Sequence, residues 1–491
     1  MAPWPATALI LALIAAWPAA AAAMSMSTSA SAPVQPAEPR HRLLVLTDIE
    51  NEPDDTQSLI RLVLYANVID IEGLVATTSI HQRGRVSPGS IHHILDLYAR
   101  VQPNLLLHEP GFPDAAQLKA KVRAGAPVYG MAAVGEGHDT PGSELLIERI
   151  KADDPRPLWV AVWGGANTLA QALHRLRASH DADALPGLLS RLRVYAISDQ
   201  DDSGAWIRRE FPELFYIVSP GGYDAATWRG IMQPEPGFDH PELSNDWIAR
   251  HIQQGHGPLG SAYPDVAYGV EGDTPSFLSL IPNGLHAPEH PDWGGWGGRY
   301  VLRIPALADT DPDGFTGGVP VLAETRPIWT NAIDTYIPYE PGRYGRSVVR
   351  GARSDTGYRT TVWRWRAAFQ NDFAARMDWT ILGPAEANHP PQVRLAHPQQ
   401  LRVRAGERLT LSAAGTTDPD GDSLQYLWFH YPEPGGQDRA WELDGAENMQ
   451  TVRLLAPAVE RPQQAHFIVQ VSDRGSPALT RYRRVIVNVE P

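Results

Sequence analysis

The chain has 491 residues, a formal net charge of -14 and no cysteine. That length suits two or three domains. The missing thiols exclude disulfides, thiolate metal sites, thiol nucleophiles and a lipid anchor on an N-terminal cysteine, and the acidic balance argues against nucleic acid as a partner.

Ala6 to Met24 is an apolar run that closes on Ala21, Ala22 and Ala23, a small-residue cleavage site. Residues 1–23 are therefore expected to be a signal peptide, with an uncleaved anchor as the alternative because the positive n-region is missing. Cleavage would leave no membrane span and a periplasmic or secreted protein. Residues 24–40 are rich in Ser, Ala and Pro and read as a disordered tether.

From His41 short apolar runs alternate with helical patterns. Strands are predicted at Leu43–Leu46, Ile71–Ala76, Leu105–Leu107, Leu158–Val162, Val194–Ile197 and Phe215–Val218. Helices are predicted at Thr56–Ala66, Ile91–Val101, Ser143–Ala152, Thr168–Ala178 and Trp206–Phe211. Such alternation implies the α/β class, with a mainly parallel sheet flanked by helices over residues 41–382. Between Asp224 and Glu340 glycine, proline and aromatic residues dominate, the composition of loops around a site. Thr361–Trp379 reads as a closing helix. Residues 383–391, GPAEANHPP, read as a linker. Residues 392–491 alternate in strand fashion between turn signals, which fits an immunoglobulin-like β-sandwich.

The first strand runs into Asp48, Glu50, Asp54 and Asp55, followed by the apolar helix pattern from Leu59. In open α/β sheets ligands bind at that edge. Acids clustered there repel one another unless a cation or a hydrogen-bonding ligand offsets the charge. A solvated acidic turn at a helix start is the plainer alternative.

Asp48-x-Glu50-x-x-x-Asp54-Asp55 closely resembles the acidic N-terminal signature of nucleoside hydrolases. PLWVAVWGGANTLAQALHRL resembles that family's glycine-led strand-to-helix turn, with Asn167 at the position that offers oxygen to the metal. EGDTPSFLSLIPNGL supplies Asp273 where the family has its late metal-binding aspartate. Together with NEPDD, ISDQDDSGAWIRREFPELFYIVSPGG, WGGWGGRY and QNDFAARMDW, these blocks resemble the exported nucleoside-hydrolase-like family described as cellulose-binding proteins. The resemblance spans roughly His41 to Pro491.

The resemblance implies a calcium ion held by Asp55 and Asp273, with Asp48 and Glu50 in or beside its shell and Asn167 adding a backbone or side-chain oxygen. It implies that Asp54 grips sugar hydroxyls and that Glu50 deprotonates water. Two departures stand out. Glu50 is one methylene longer than the family's aspartate, and Gly272 stands where purine-cleaving relatives carry a histidine acid. His81, or a carboxylate such as Glu271, is the candidate replacement. The expected activity is calcium-dependent hydrolysis of a glycosyl bond. The alternatives are a carbohydrate-binding protein without turnover and a true nucleoside hydrolase.

Several further residues carry two readings. Asp199 and Asp202 follow a predicted strand and suit either a substrate pocket or an acidic loop tip. Trp293 and Trp296, in a glycine-rich loop, suit either sugar stacking or packing. His92-His93 falls at a helix start and reads as structural. Asp309-x-Asp311-x-Asp313-Gly314 opens like a calcium loop, but Pro320 at the twelfth position excludes an EF-hand. Asp418-Pro419-Asp420-Gly421-Asp422 reads as a β-turn, with a structural calcium as the alternative.

Overall fold

Strand β1 (His41–Thr47) is buried along almost its whole length and pairs in parallel with β2 (Ile69–Ala76) on one side and β4 (Leu158–Val162) on the other. A strand covered on both faces needs a continuous apolar run, and HRLLVLT supplies it. The computed structural model describes residues 39–491 except 180–183, 222, 224–225, 308–318, 342–347, 437–440, 442 and 445–447. The expected signal peptide, nearly all of the tether and Asp309–Gly314 lie outside the described residues. Among the described residues no helix is long and apolar enough to cross a membrane.

The main sheet has eight strands in the order β3-β2-β1-β4-β5-β6-β8-β7. The remaining strands are β3 (Val122–Ala124), β5 (Leu192–Ala196), β6 (Phe215–Val218), β7 (Tyr300–Arg303) and β8 (Ile328–Asn331). Every pairing is parallel except β7 with β8. The strand order reverses between β1 and β4, and such a switch point opens a crevice at the carboxyl ends of the strands. Helices α1 (Pro53–Val63), α2 (Pro88–His108), α3 (Pro141–Lys151), α4 (Asn167–Ala178) and α5 (Ser203–Glu210) connect successive strands.

Leu105–Leu107 is not a strand. It continues α2 past Pro103, with Leu105 buried and Leu106 and Leu107 exposed. The edge strand is β3, whose three residues are too few to give a periodic signal. The aromatic loop region also hides β7 and β8, which complete the sheet. The closing helix is split into Thr360–Trp363 and α6 (Arg366–Asp378).

The C-terminal part is a two-sheet β structure. One sheet has β9 (Gln400–Arg404), β14 (Thr480–Glu490), β13 (Gln463–Ser472) and β11 (Gln425–Tyr431) side by side. The facing sheet has β10 (Arg408–Ser412), β12 (Thr451–Leu455) and the short strand Leu443–Asp444. Trp428, Phe467 and Val469 lie in the core between the sheets.

Residues Arg40–Pro491 form one compact unit. Phe429, Tyr431, Ile468 and Tyr482 of the sandwich belong to the same core as Trp296, Trp365 and Phe369. In the expected linker, Ala387 and Asn388 are buried. Asp334, which is fully buried, accepts from Arg299 at 2.6 Å, Arg364 at 2.9 Å and the Tyr431 hydroxyl at 2.6 Å. Asp334→Ala leaves two largely buried guanidinium groups without their carboxylate, so we expect a loss of about 3–5 kcal/mol. Denaturant unfolding measures this, and a change below about 1 kcal/mol would show the hub to be dispensable.

Candidate functional site

A cavity of about 460 Å³ opens at the switch point, lined by residues that follow β1, β4 and β5 and by the segment 223–273. Its floor is acidic. Asp54, Asp55 and Asp273 each offer an oxygen within 4.8 Å of the others. Asp48 and Glu52 also line it. Pro53 at the helix start and Asp54 and Asp55 in the first turn set two of these acids at the N-terminus of α1, where the helix dipole favours negative charge.

The carboxylates are held from behind. Asp55 accepts from the Thr47 hydroxyl. The Asp48 carbonyl accepts from the Gln82 amide at 3.0 Å. At Gly164 a Cβ would lie 2.7 Å from Asp48 Oδ1, so this turn needs glycine for the two strand ends to meet. Asp48 Oδ2 and Asp273 Oδ2 are buried and have no hydrogen-bond partner. Burial raises the Asp48 carboxyl to about 6. Burial, then the charges of Glu52 and Asp48, raise Asp54 to about 7. Burial and the neighbouring acids push Asp55 and Asp273 well above the usual carboxylate range. Two orphaned buried oxygens among mutually repelling acids fit a hard cation with oxygen ligands.

Glu50 does not line the cavity. Its φ of 78° is left-handed, a region rarely adopted by a non-glycine residue, and its side chain turns to the surface. There it meets Arg85 and Ser87, both at 3.0 Å, and Ser90. The Ser90 hydroxyl, with help from Ser87 and Arg85, holds its carboxyl below the usual range. The proton acceptor and metal ligand expected at Glu50 are therefore not at the cavity. Glu52, passed over in the sequence because it lies between the motif positions, is there instead.

Asn167 is buried but committed elsewhere. Its amide donates to Thr78 Oγ1 at 3.0 Å and the Val128 carbonyl at 2.8 Å, and its Oδ1 accepts from Thr77. That side chain locks the β4–α4 turn and does not line the cavity. Asp201 supports the same turn by accepting the Asn167 N–H at 3.1 Å. Asp199 is paired with Arg208 through two contacts of 2.8 Å, and Asp202 accepts the Met131 N–H at 2.8 Å. Neither expected substrate contact lines the cavity.

Trp293 and Trp296 also stand away from it. Trp293 stacks on His290 at 4.1 Å and meets His466 of the sandwich edge-on. Trp296 is fully buried against Phe369 and Tyr482. Both cement the junction between the two parts of the fold. The aromatic walls of the cavity are Trp163, Tyr223, Trp228 and Tyr268. Trp228 Nε1 is buried without a partner, and Tyr268 is 81% exposed at the rim. Trp228 and Tyr268 fall in the loop-like region, where nothing in the local pattern separates a wall from a packed ring.

His81 does line the cavity, with Nε2 3.4 Å from the Tyr223 hydroxyl. Glu271 does not serve as a replacement acid: it is fully buried and bound by Arg61 and Tyr263. At Gly272 a Cβ would lie 2.8 Å from Asp54 Oδ2 and 3.1 Å from Met232 Sδ. A histidine there would displace Asp54, which explains the glycine. If the acid cluster holds calcium, Gly272→Ala should weaken that binding about tenfold, in line with the 1–3 kcal/mol cost of overpacking. Calorimetric titration checks it, and unchanged affinity would show that Asp54 moves freely.

The fold and site define a nucleoside-hydrolase-like α/β protein with an added β-sandwich. The chain belongs to the cellulose-binding Sde182 family: its nucleoside hydrolase-like domain model matches residues 42–300, and the model of the Sde0182 C-terminal domain matches residues 408–489. A nucleoside hydrolase-related hypothetical protein from Saccharophagus degradans, described as associated with carbohydrate metabolism, is 33% identical. That match covers 92% of this chain and 100% of the other, with a TM-score of 0.74. The effector protein XOO4466 is 13% identical with a TM-score of 0.32, and that match covers 70% of this chain and 95% of the other. No curated protein matches the chain.

Proposed function

We propose that this is an exported, calcium-dependent hydrolase of glycosyl bonds, acting on a glycoside or an N-glycosidic substrate. The observation that carries the reading is the set of buried, partly orphaned carboxylates at the floor of an aromatic-walled cavity. Asp55 and Asp273, with Asp48 and Asp54 beside them, are the residues that would hold the cation. When bound, such a cation supplies charge that eases the deprotonation of water.

The chain's own groups do the rest. Glu52 lines the cavity as the available proton acceptor. Asp54 offers a charged acceptor to sugar hydroxyls. Trp228 Nε1 offers a buried donor, and the rings of Trp163, Tyr223 and Trp228 supply flat apolar walls of the kind that suit a sugar face. His81, beside the Tyr223 hydroxyl, is placed to protonate a leaving oxygen or nitrogen. The family's description and the relative's association with carbohydrate metabolism support a carbohydrate ligand.

The second reading is a glycan-binding protein without turnover. The outward turn of Glu50 and the space Asp54 takes beside Gly272 favour it. The test is release of reducing sugar from a panel of nucleosides, aryl furanosides and plant-wall oligosaccharides at saturating calcium. Release that disappears in Asp55→Asn supports the hydrolase. Binding of an oligosaccharide without release on any panel member supports the binding protein.

A further inference from the structure

The sandwich does not seal against the α/β part over its whole contact face. Side chains alternate along β11: Trp428 enters the sandwich core, while Leu427, Phe429 and Tyr431 face the α/β part and join its core. Beside that contact a cavity of about 600 Å³ remains between the two parts. It is larger than the acid cavity, at about 460 Å³, and no described residue lines both. Ligand pockets favour such junctions and run to roughly 300–1,000 Å³.

Its walls are flat rings. Tyr336, Tyr339 and Trp365 come from the α/β part and Phe429 from β11. Phe429 lies 6.2 Å from Trp365 and 6.4 Å from Tyr339, tilted to both. The Arg364 guanidinium sits over Tyr336 and Trp365, 4.9 Å from each ring, and so fixes how both rings stand. Polar groups with unmet hydrogen bonds stand among these rings. Arg364 Nε, Trp365 Nε1, His430 Nε2 and Glu433 Oε2 are buried and have no partner among the described residues. All four residues line the cavity. Two of them are anchored at their other atoms: Arg364 donates to Asp334 at 2.9 Å, and Glu433 Oε1 accepts the Thr335 N–H at 2.9 Å. Two donors, a carboxylate oxygen and an imidazole nitrogen are thus gathered at one place, each costly to bury alone.

Charge narrows the choice of guest. Arg299 and Arg364 both pair with Asp334, and Glu433 supplies the second negative charge. Among the lining residues this leaves the exposed Arg350 over. Burial, then the Arg350 charge, hold the His430 imidazole down to about 4, so it is neutral at neutral pH. Glu433 would repel a phosphate or a uronate. A purely apolar guest would leave the four polar atoms unmet. A neutral sugar chain answers both demands: its ring faces are apolar and suit aromatic walls, and its hydroxyls donate and accept.

We propose that this junction cavity is a second binding site, which holds a short stretch of a neutral glycan. Tyr336, Tyr339 and Trp365 lie against the sugar faces, and Glu433 and Arg364 meet the hydroxyls. The reading rests on the junction alone and not on the hydrolase site. Both parts supply walls, so the site exists only while the sandwich is docked.

The test uses the full chain with chelator present, so that a failed hydrolase assay has no bearing on it. Cellohexaose, xylohexaose and mannohexaose are titrated by calorimetry as neutral probes, and hexagalacturonate as the acidic one. At least one neutral probe should bind, and Tyr339→Ala and Glu433→Gln should each weaken it about tenfold. Hydrogen exchange on the wild-type chain supplies a readout that needs no variant: bound probe should protect amides in 334–339 and 425–436, which carry lining residues from both parts. Protection confined to 48–55 and 226–233, beside the acid cavity, overturns the proposal. So does failure of every neutral probe to bind, or unchanged affinity in both variants. Tighter binding of hexagalacturonate than of any neutral probe also overturns it and gives the cavity to an acidic sugar.

Discussion

Calcium is expected to raise the melting temperature of chelator-treated protein more at about pH 8 than at about pH 5. Without metal, Asp48 and Asp54 have carboxyls raised to about 6 and about 7. A carboxylate whose folded pKa lies above its unfolded value contributes stability while it is protonated. That contribution is full below the unfolded pKa, near 3.8, and is lost as pH rises through about 6 for Asp48 and about 7 for Asp54. At about pH 5 protons offset much of the repulsion and compete with the cation; at about pH 8 the acids are ionised and only a cation can offset it. At a thousandfold excess over Kd, binding adds about 4 kcal/mol, a shift on the order of 5 °C. Scanning calorimetry at the two pH values, with and without calcium, measures it. An equal shift at both would remove the cavity acids as its source. In Asp55→Asn the extra stabilisation at high pH should fall away.

Glu52→Gln should lower turnover by about 10²- to 10⁴-fold, the range for loss of a general base. Glu50→Gln should change it by less than about tenfold, because that carboxylate makes exposed contacts of the kind worth about 1 kcal/mol or less. The two positions are two residues apart, and the sequence motif favours Glu50. The backbone decides otherwise: the left-handed conformation at Glu50 points its side chain toward Arg85, Ser87 and Ser90, while the next turn brings Glu52 into the cavity. Assays at saturating calcium separate loss of the proton acceptor from loss of metal. A fall in Glu50→Gln equal to that in Glu52→Gln would return the catalytic role to the motif position.

Much of this was open to reading from the residues alone. The continuous apolar runs LLVL and LWVAV suit strands covered on both faces, and their alternation with helical stretches leads directly to a parallel sheet. The acids after the first run, the glycine pair after the second and Asp273 mark a candidate cation site, because clustered like charges are costly unless something offsets them. Tertiary structure alone decided which members of each motif face the cavity. Side-chain direction at a turn depends on single φ values, as at Glu50, and on which partners capture a polar group, as Val128 and the two threonines capture Asn167. It also decided which tryptophans form the walls. Trp228 and Trp296 look alike along the chain, but one borders the cavity and the other is sealed against Tyr482 once the sandwich docks. That docking is a long-range packing event between residues about 190 positions apart, and no local pattern of charge or hydrophobicity records it.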